Sequence, residues 1–354
     1  MAVPLIAISL GDPGGIGPEV VLKALADPAL RARARWLLIG PESALRAAAA
    51  HAAIAPFWQR HAAPPRQSPA NISIAHSGNA PTMPSHAGDA AIWDIPCARA
   101  DARPTPEGGE VSFLAVEIAI ALALLPRGDP RRAHAIVTAP INKEAWSLAG
   151  HGEFAGHTEL LAARCSPAGS APPAHAMMFV TPRLRVVLAT THIPLAAVPA
   201  AITTDRVLSA IRVGAAMCAR LGLVRPRVAV CGLNPHAGEN GLLGTDETRA
   251  IVPAIAAARS LGIDARGPMP GDTVFNAAVI GDYDLVVAMY HDQGLIPVKL
   301  LDRDRAVNTT AGLPIVRTSP DHGTAYDIAG SNRADPGSTT AAIELAARLA
   351  TDAA

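Results

Sequence analysis

Short, nearly continuous apolar runs alternate along the chain with longer segments whose apolar residues recur at helical spacing. The short runs predict buried strands at 4–10, 36–40, 134–138, 177–180, 185–190, 227–232 and 284–290. The longer ones predict helices at 18–29, 110–125, 205–221, 246–261 and 338–351. Thr245 is placed to cap the fourth helix, and Asp246 and Glu247 fall in its first turn, where the helix dipole favours carboxylates. Strands and helices alternating at this pitch predict an α/β fold with a largely parallel sheet. Two stretches read as loops or insertions: 62–84, rich in Pro, Ser, His and Ala, and 165–173.

Composition narrows the picture. At 354 residues the chain exceeds a typical single domain, so two domains are expected. Half the residues are apolar but only 3% aromatic, so the core must be built from Ala, Val, Leu and Ile, which suits strands covered on both faces by helices. Lys plus Arg equals Asp plus Glu at 30 each, so no global field points to nucleic acid or to an anionic membrane. Any anion recognition must be local. Cys97, Cys165, Cys218 and Cys231 are widely spaced with no C-x-x-C pair, which reads as buried thiols in a reducing cytosol. No basic segment precedes a long apolar one at the amino terminus, and the most apolar stretch, 111–125, contains Glu117 and falls short of the roughly 20 residues that span a bilayer. The expectation is a soluble, cytoplasmic protein.

Of the twelve histidines, His51, His61, His76 and His86 sit in Ala- and Pro-rich, surface-like sequence. Three others follow predicted strands: His192 after RVVLAT, His236 after RVAVCGL and His291 after DLVVAMY. Open α/β sheets bind ligands beyond the carboxyl ends of their strands, and neutral imidazole is the commonest metal ligand. Three such histidines can converge on one ion with an open fourth position, as in a catalytic site; a structural role for each stays open. Asn234 and Glu239 flank His236, Asp292 follows His291, and Asp272 follows a Pro/Gly-rich loop. Any of them can orient an imidazole, and Asp272 or Asp292 can accept a proton; each reads equally as a turn former or cap.

Further along, Lys299, Asn308 and Arg317 stand among apolar and Gly/Pro residues, where an unpaired charge is costly and an anion is a natural partner. His157 and Thr158 in FAGHTELL add an imidazole and a hydroxyl at a helix start. The glycine loop GDPGGIGPEV, 11–20, lies between the first strand and first helix, a placement suited to an anion. It is not a dinucleotide fingerprint, because Val20 stands at the third glycine position and Pro18 inside the turn.

The segments GDPGGIGPE, TAPINKEA, GHTELLA, ATTHIPL, CGLNPHAGE, GDTVF, MYHDQGLIPVK, VNTTAGLP and VRTSPDHGTAYDIAG, in this order from about Leu5 to the carboxyl terminus, resemble the 4-hydroxythreonine-4-phosphate dehydrogenase family of pyridoxal phosphate biosynthesis. The resemblance implies NAD-dependent oxidation, with NADP as the other nicotinamide, of the 3-hydroxyl of 4-phosphooxy-L-threonine, followed by loss of CO2 to give 3-amino-2-oxopropyl phosphate. It implies a divalent metal (zinc, cobalt, magnesium or manganese) on His192, His236 and His291, with three imidazoles favouring zinc or cobalt over magnesium. It further implies substrate contacts from His157, Thr158, Lys299, Asn308 and Arg317, with Asp272, Asp292 and Lys299 near the chemistry.

The implied fold is two α/β/α domains with a cleft between them, similar to isocitrate and isopropylmalate dehydrogenases, over 1–142 plus 325–354 and over 143–324. The implied assembly is a homodimer with its active site at the subunit interface. Departures are small: Ala311 stands where the family pattern usually has Leu, and 62–84 has no counterpart. Relatives of the family act on phosphorylated threonate or erythronate, or on aromatic cis-dihydrodiols. From the residues alone, a metal-dependent hydrolase of a phosphorylated metabolite and a binding protein that has lost catalysis are the alternatives of another class.

Overall fold

The computed structural model describes residues 3–64, 82–167 and 169–351. Most of the loop read at 62–84, with His76, therefore lies outside the described residues. The fold is mixed α/β, and its contacts divide it into two units, Met1–Ala171 with Pro314–Ala354, and Pro172–Leu313.

In the first unit, β1 (Leu5–Ser9), β2 (Arg35–Gly40), β3 (Trp58–Ala62), β4 (Ala90–Asp94) and β5 (Ala135–Thr138) are parallel, in the order β3-β4-β2-β1-β5. All but β3 are buried or nearly so along their length, as a sheet covered on both faces requires. The strand Arg317–Pro320 returns to pair in parallel with β5. Helix Pro106–Ala123 packs over β1, β2 and β5, and helix Gly337–Thr351 over β1, β5 and Arg317–Pro320.

The second unit contains β6 (Ala176–Val180), β7 (Arg185–Leu188), β8 (Val228–Cys231), β9 (Ala265–Met269), β10 (Leu285–Ala288) and β11 (Val307–Ala311), in the order β11-β6-β7-β10-β8-β9. Strands β7, β10, β8 and β9 are parallel, while β6 runs antiparallel to both β7 and β11. In β8 (VAVC) and β10 (LVVA), both fully buried, Ala229, Cys231, Val286 and Ala288 sit in a cluster with Leu188, Phe275, Leu295 and Val298. At roughly 1.5–3 kcal/mol per buried Val or Leu, this cluster makes the strand ends a firm platform.

Both predicted domain boundaries shift. Residues 143–171 and 314–324, assigned from the sequence to the second domain, fall in the first unit. Helix Lys143–Leu148 packs on Pro106–Ala123, Arg164 pairs with the buried Glu117 at 2.6 Å, and the strand Arg317–Pro320 belongs to the sheet edge at β5.

Strands β3, β9, β11 and Arg317–Pro320 lack the apolar run that marks the others, whereas β4 (AAIWD) has a short one that the sequence reading passes over. The predicted Pro/Gly loop before Asp272 is partly β9 itself: Gly267 and Pro268 lie in the sheet's edge strand, where a missing donor is tolerated. Thr245 does not cap the fourth helix either. Asp246 precedes it, without a side-chain cap bond, and the first turn, Glu247–Ile251, is π-helical, with the Val252 N–H donating to the Glu247 carbonyl.

Cys218 and Cys231 are buried as expected, but Cys97 and Cys165 are only partly so; all four are free thiols. His51 and His86 are exposed, whereas His61 is half-buried in β3. No helix among the described residues is long and apolar enough to cross a membrane.

Candidate functional site

Strands β7, β10 and β8 are consecutive neighbours and parallel, so their carboxyl ends lie on one edge of the second unit. His192 follows the first of them, His291 the middle one and His236 the last. Side chains stitch these ends together. Thr190 Oγ1 donates to the Met289 carbonyl at 2.7 Å, joining the ends of β7 and β10. Gln293 accepts from the Met289 N–H through Oε1 (2.7 Å) and donates through Nε2 to the Gly232 carbonyl (2.8 Å), joining β10 to β8.

His291 is the first residue of helix His291–Asp302, seated close against the strands because Gly294 has no side chain. A Cβ there would lie 2.6 Å from Leu188 Cδ2 and 2.9 Å from Val186 Cγ1. The rings of His192 and His291 stand 5.7 Å apart between centroids. His291 Nδ1 and Asp292 Oδ1 are 2.7 Å apart, so in the tautomer protonated at Nδ1 the ring donates to the Asp292 carboxylate and keeps the Nε2 lone pair for a ligand.

His192 and His236 share an uncommon backbone conformation, with φ of 50° and 52°. In the second case the whole turn is left-handed: Ala237, Glu239 and Asn240 also have positive φ, as does Gly238. Non-glycine residues held this way cost about 1–2 kcal/mol each, a strain that collects at functional sites.

His236, Asp272 and Asp292 line one cavity of about 690 Å³ with Asn234, Tyr290 and Gln293. Among the described residues, however, no three His, Cys, Asp or Glu side chains stand together as a group that could hold a metal ion. Asn234 does not turn to an imidazole: its side-chain amide donates to Glu247 (3.0 Å) and Asp246 (3.2 Å). Glu239 is exposed. Lys299 lies exposed on the His291 helix, about 12 Å along the axis from His291, and does not line the cavity. Asn308 on β11 is half-buried, and its buried Oδ1 has no hydrogen-bond partner among the described residues.

The other predicted residues belong to the first unit. Helix His157–Arg164 starts at His157 after Gly156, so His157 and Thr158 occupy its first turn as anticipated. The His157 ring stands edge-on to Trp146 at 5.7 Å, and its Nε2 is buried with no hydrogen-bond partner among the described residues. Burial, then the neighbouring charges of Arg317 and Lys143, hold His157 well below the usual imidazole range. Arg317, 2% exposed, donates through Nε and Nη2 to Thr138 Oγ1 at 3.0 and 2.8 Å. Burial pushes its guanidinium down, opposed by Glu159.

The glycine loop disappoints the anion reading. A Cβ on Gly14 would lie 1.9 Å from the Asp101 carbonyl oxygen, and one on Gly17 2.1 Å from that of Leu10. Its glycines admit neighbouring backbone rather than a ligand. Asp12 within it is buried, accepting from Tyr326 (2.8 Å) and from the Gly14 N–H (2.9 Å); burial raises its carboxyl despite both bonds. Thr138, Thr190 and Gln293 lie inside the quoted segments but the sequence assigns them no role, and it assigns Glu247 only a place in a helix's first turn.

The model of a family described as "Pyridoxal phosphate biosynthetic protein PdxA" matches residues 32–346. A 4-hydroxythreonine-4-phosphate dehydrogenase from Desulfosudis oleivorans is 46% identical over 347 residues, 97% of this chain and 95% of the relative. A D-threonate 4-phosphate dehydrogenase from Salmonella typhimurium is 43% identical over 354 residues, 99% of this chain and all of the relative. The crystal structure of 4-hydroxythreonine-4-phosphate dehydrogenase from Klebsiella pneumoniae superposes with a TM-score of 0.79 at 40% identity, covering 98% of both chains.

Proposed function

The chain belongs to the PdxA family of pyridoxal phosphate biosynthetic proteins, and from that premise we propose that it oxidises 4-phosphooxy-L-threonine with NAD, as a cytoplasmic homodimer. Hydride leaves C3 for the nicotinamide, the hydroxyl proton passes to a base, and the resulting β-keto acid loses CO2 to give 3-amino-2-oxopropyl phosphate. The observation that carries this reading is the delivery of His192, His291 and His236 by three neighbouring parallel strands beside a cavity lined by Asp272 and Asp292.

The donor set suits a divalent cation held by these three imidazoles, zinc or cobalt ahead of magnesium or manganese. Such an ion supplies Lewis acidity toward the substrate hydroxyl and stabilises negative charge developing on oxygen. The other roles fall to the protein. Asp292 orients His291, and Asp272, in the cavity wall, accepts the hydroxyl proton. Lys299 and Arg317 bind the substrate's anionic groups, and Thr158 and Asn308 add a hydroxyl and an amide. Neutral His157 offers one hydrogen bond without adding charge. Ile296 and Leu300 in the cavity wall, 58% and 80% exposed, support a second copy at the site.

The test is NADH formation at 340 nm with 4-phosphooxy-L-threonine, lost with a chelator and restored by a divalent metal. Absence of NADH with every phosphorylated hydroxy acid sinks the reading, and product formed without NAD replaces it with a hydrolase. The Salmonella typhimurium relative gives D-threonate 4-phosphate as the second substrate to run beside the first. A higher kcat/KM on that compound changes the substrate and leaves the reaction class intact.

A further inference from the structure

The left-handed turn that carries His236 is closed by its own backbone bonds, from the Ala237 N–H to the Asn234 carbonyl (3.1 Å) and from the Leu242 and Leu243 N–H groups to the Glu239 (3.2 Å) and Gly238 (3.1 Å) carbonyls, and it is anchored from outside as well. Four non-glycine residues in sequence proximity, His236, Ala237, Glu239 and Asn240, have φ between 43° and 56°, where L-residues are strained. What anchors its leading end is Glu247. This carboxylate is 3% exposed, and its Oε1 accepts from the Leu233 and Asn234 N–H groups, both at 2.8 Å. Its Oε2 accepts from the Asn234 side-chain amide at 3.0 Å and packs against Gly238, where a Cβ would lie 2.6 Å from it. Three hydrogen bonds to one ionised acceptor, each stronger than a neutral pair, are thus spent on residues just ahead of His236.

Two residues along the same turn, Arg249 reaches another segment. Its Nη1 donates to the Ile202 carbonyl (3.1 Å) and its Nη2 to that of Pro199 (2.9 Å), both in the stretch that follows His192. Nη2 also pairs with Asp246 at 2.6 Å, and Asp246 in turn accepts from Asn234. The π-helical turn Glu247–Ile251 therefore touches both histidine-bearing loops, one through an acid and one through a base. Such a turn, with its inserted residue, recurs at functional sites.

We infer that Glu247 and Arg249 are positioning residues: one short turn ties the segment just before His236 and the segment that follows His192 to one anchor, which limits where the two imidazoles can stand relative to each other. The inference rests on the reading of His192 and His236 as metal donors. Its structural half, that Glu247 restrains 233–243 and Arg249 restrains 196–203, is testable without metal.

The experiment uses the full chain with Glu247→Gln, Arg249→Met, Asn234→Ala and His236→Ala. Backbone hydrogen exchange is measured on metal-free protein, and Co2+ affinity by titration against a competing chelator. In Glu247→Gln the carboxylate shape is kept but one acceptor becomes a donor facing Asn234. Exchange in 233–243 is expected to accelerate while 196–203 stays protected, and Co2+ to bind at least tenfold more weakly, the loss typical of a residue that orients a ligand. Arg249→Met is expected to invert the exchange pattern with a similar loss of affinity. Asn234→Ala, which leaves the buried carboxylate in place, keeps the test available if Glu247→Gln fails to fold, and is expected to loosen the same loop as Glu247→Gln. Unchanged Co2+ affinity in Glu247→Gln, or in Asn234→Ala in its stead, beside a loss in His236→Ala overturns the inference. Unchanged affinity in His236→Ala overturns the metal reading instead, and the exchange patterns then decide the restraint by themselves.

Discussion

Asp292 Oδ1 stands 2.7 Å from Nδ1 of its neighbour His291, a contact that favours the tautomer with the proton on Nδ1. Substituting Asp292 by Ala frees the ring to rotate and to change tautomer without disturbing the core, since Asp292 is exposed. Asp292→Ala is expected to weaken divalent-metal affinity by about 10- to 100-fold, with unfolding unchanged. Chelator titration of activity measures this. Wild-type sensitivity to chelator would falsify the orienting role.

His157 makes stability depend on pH. Its folded-state pKa is depressed, chiefly by burial and then by Arg317 and Lys143, so the unfolded chain takes up a proton near pH 6.5 that the folded chain refuses. Stability assigned to neutral His157 is therefore fully present above about pH 6.5 and declines as pH falls below it. Replacing His157 with Asn removes this contribution, so the variant's urea-unfolding free energy should fall less steeply than wild type between pH 7 and pH 5. Parallel slopes would mean that His157 titrates normally.

Arg317 is buried on Thr138, and the proposed function gives it one of the substrate's anionic groups. An Arg317→Met variant keeps the bulk and loses the charge. At about 1.5–3 kcal/mol for hydrogen bonds to a charged group, KM for the phosphorylated substrate is expected to rise about 10- to 100-fold. Steady-state kinetics check it, and an unchanged KM removes Arg317 from substrate binding.

Gly14 has no room for a side chain, its Cβ position falling 1.9 Å from the Asp101 carbonyl oxygen. Gly14→Ala must push the 101 loop away, at about 1–3 kcal/mol, the usual cost of overpacking. The urea midpoint should fall accordingly. An unshifted midpoint would show that the loop is not packed as described.

The sequence made the buried parallel strands legible, because a strand covered on both faces is apolar throughout: β1, β2, β5, β7, β8 and β10 announced themselves and carried the three histidines with them. It concealed strands that are polar or lie at an edge. In β11, Asn308 reads only as a polar residue for a ligand, though it and the buried Thr309 and Thr310 belong to a strand. Glu247 shows a second limit. Its type and position satisfied the helix-dipole rule, so nothing in the sequence suggested that its carboxylate turns back to a loop more than ten residues earlier. A side chain's local propensity is readable; its long-range partner is not.

The strand order of the second unit has a consequence for biosynthesis. Of the three strands that end in the candidate ligands, β10 is made last yet lies between the other two. A nascent chain that has emerged only as far as β8 can hold His192 and His236, but the strand that must separate them is still missing. The imidazoles cannot take their places until β10 inserts, so a growing chain offers no finished trap for a stray cation. Any ion held by these three side chains is acquired by the completed fold.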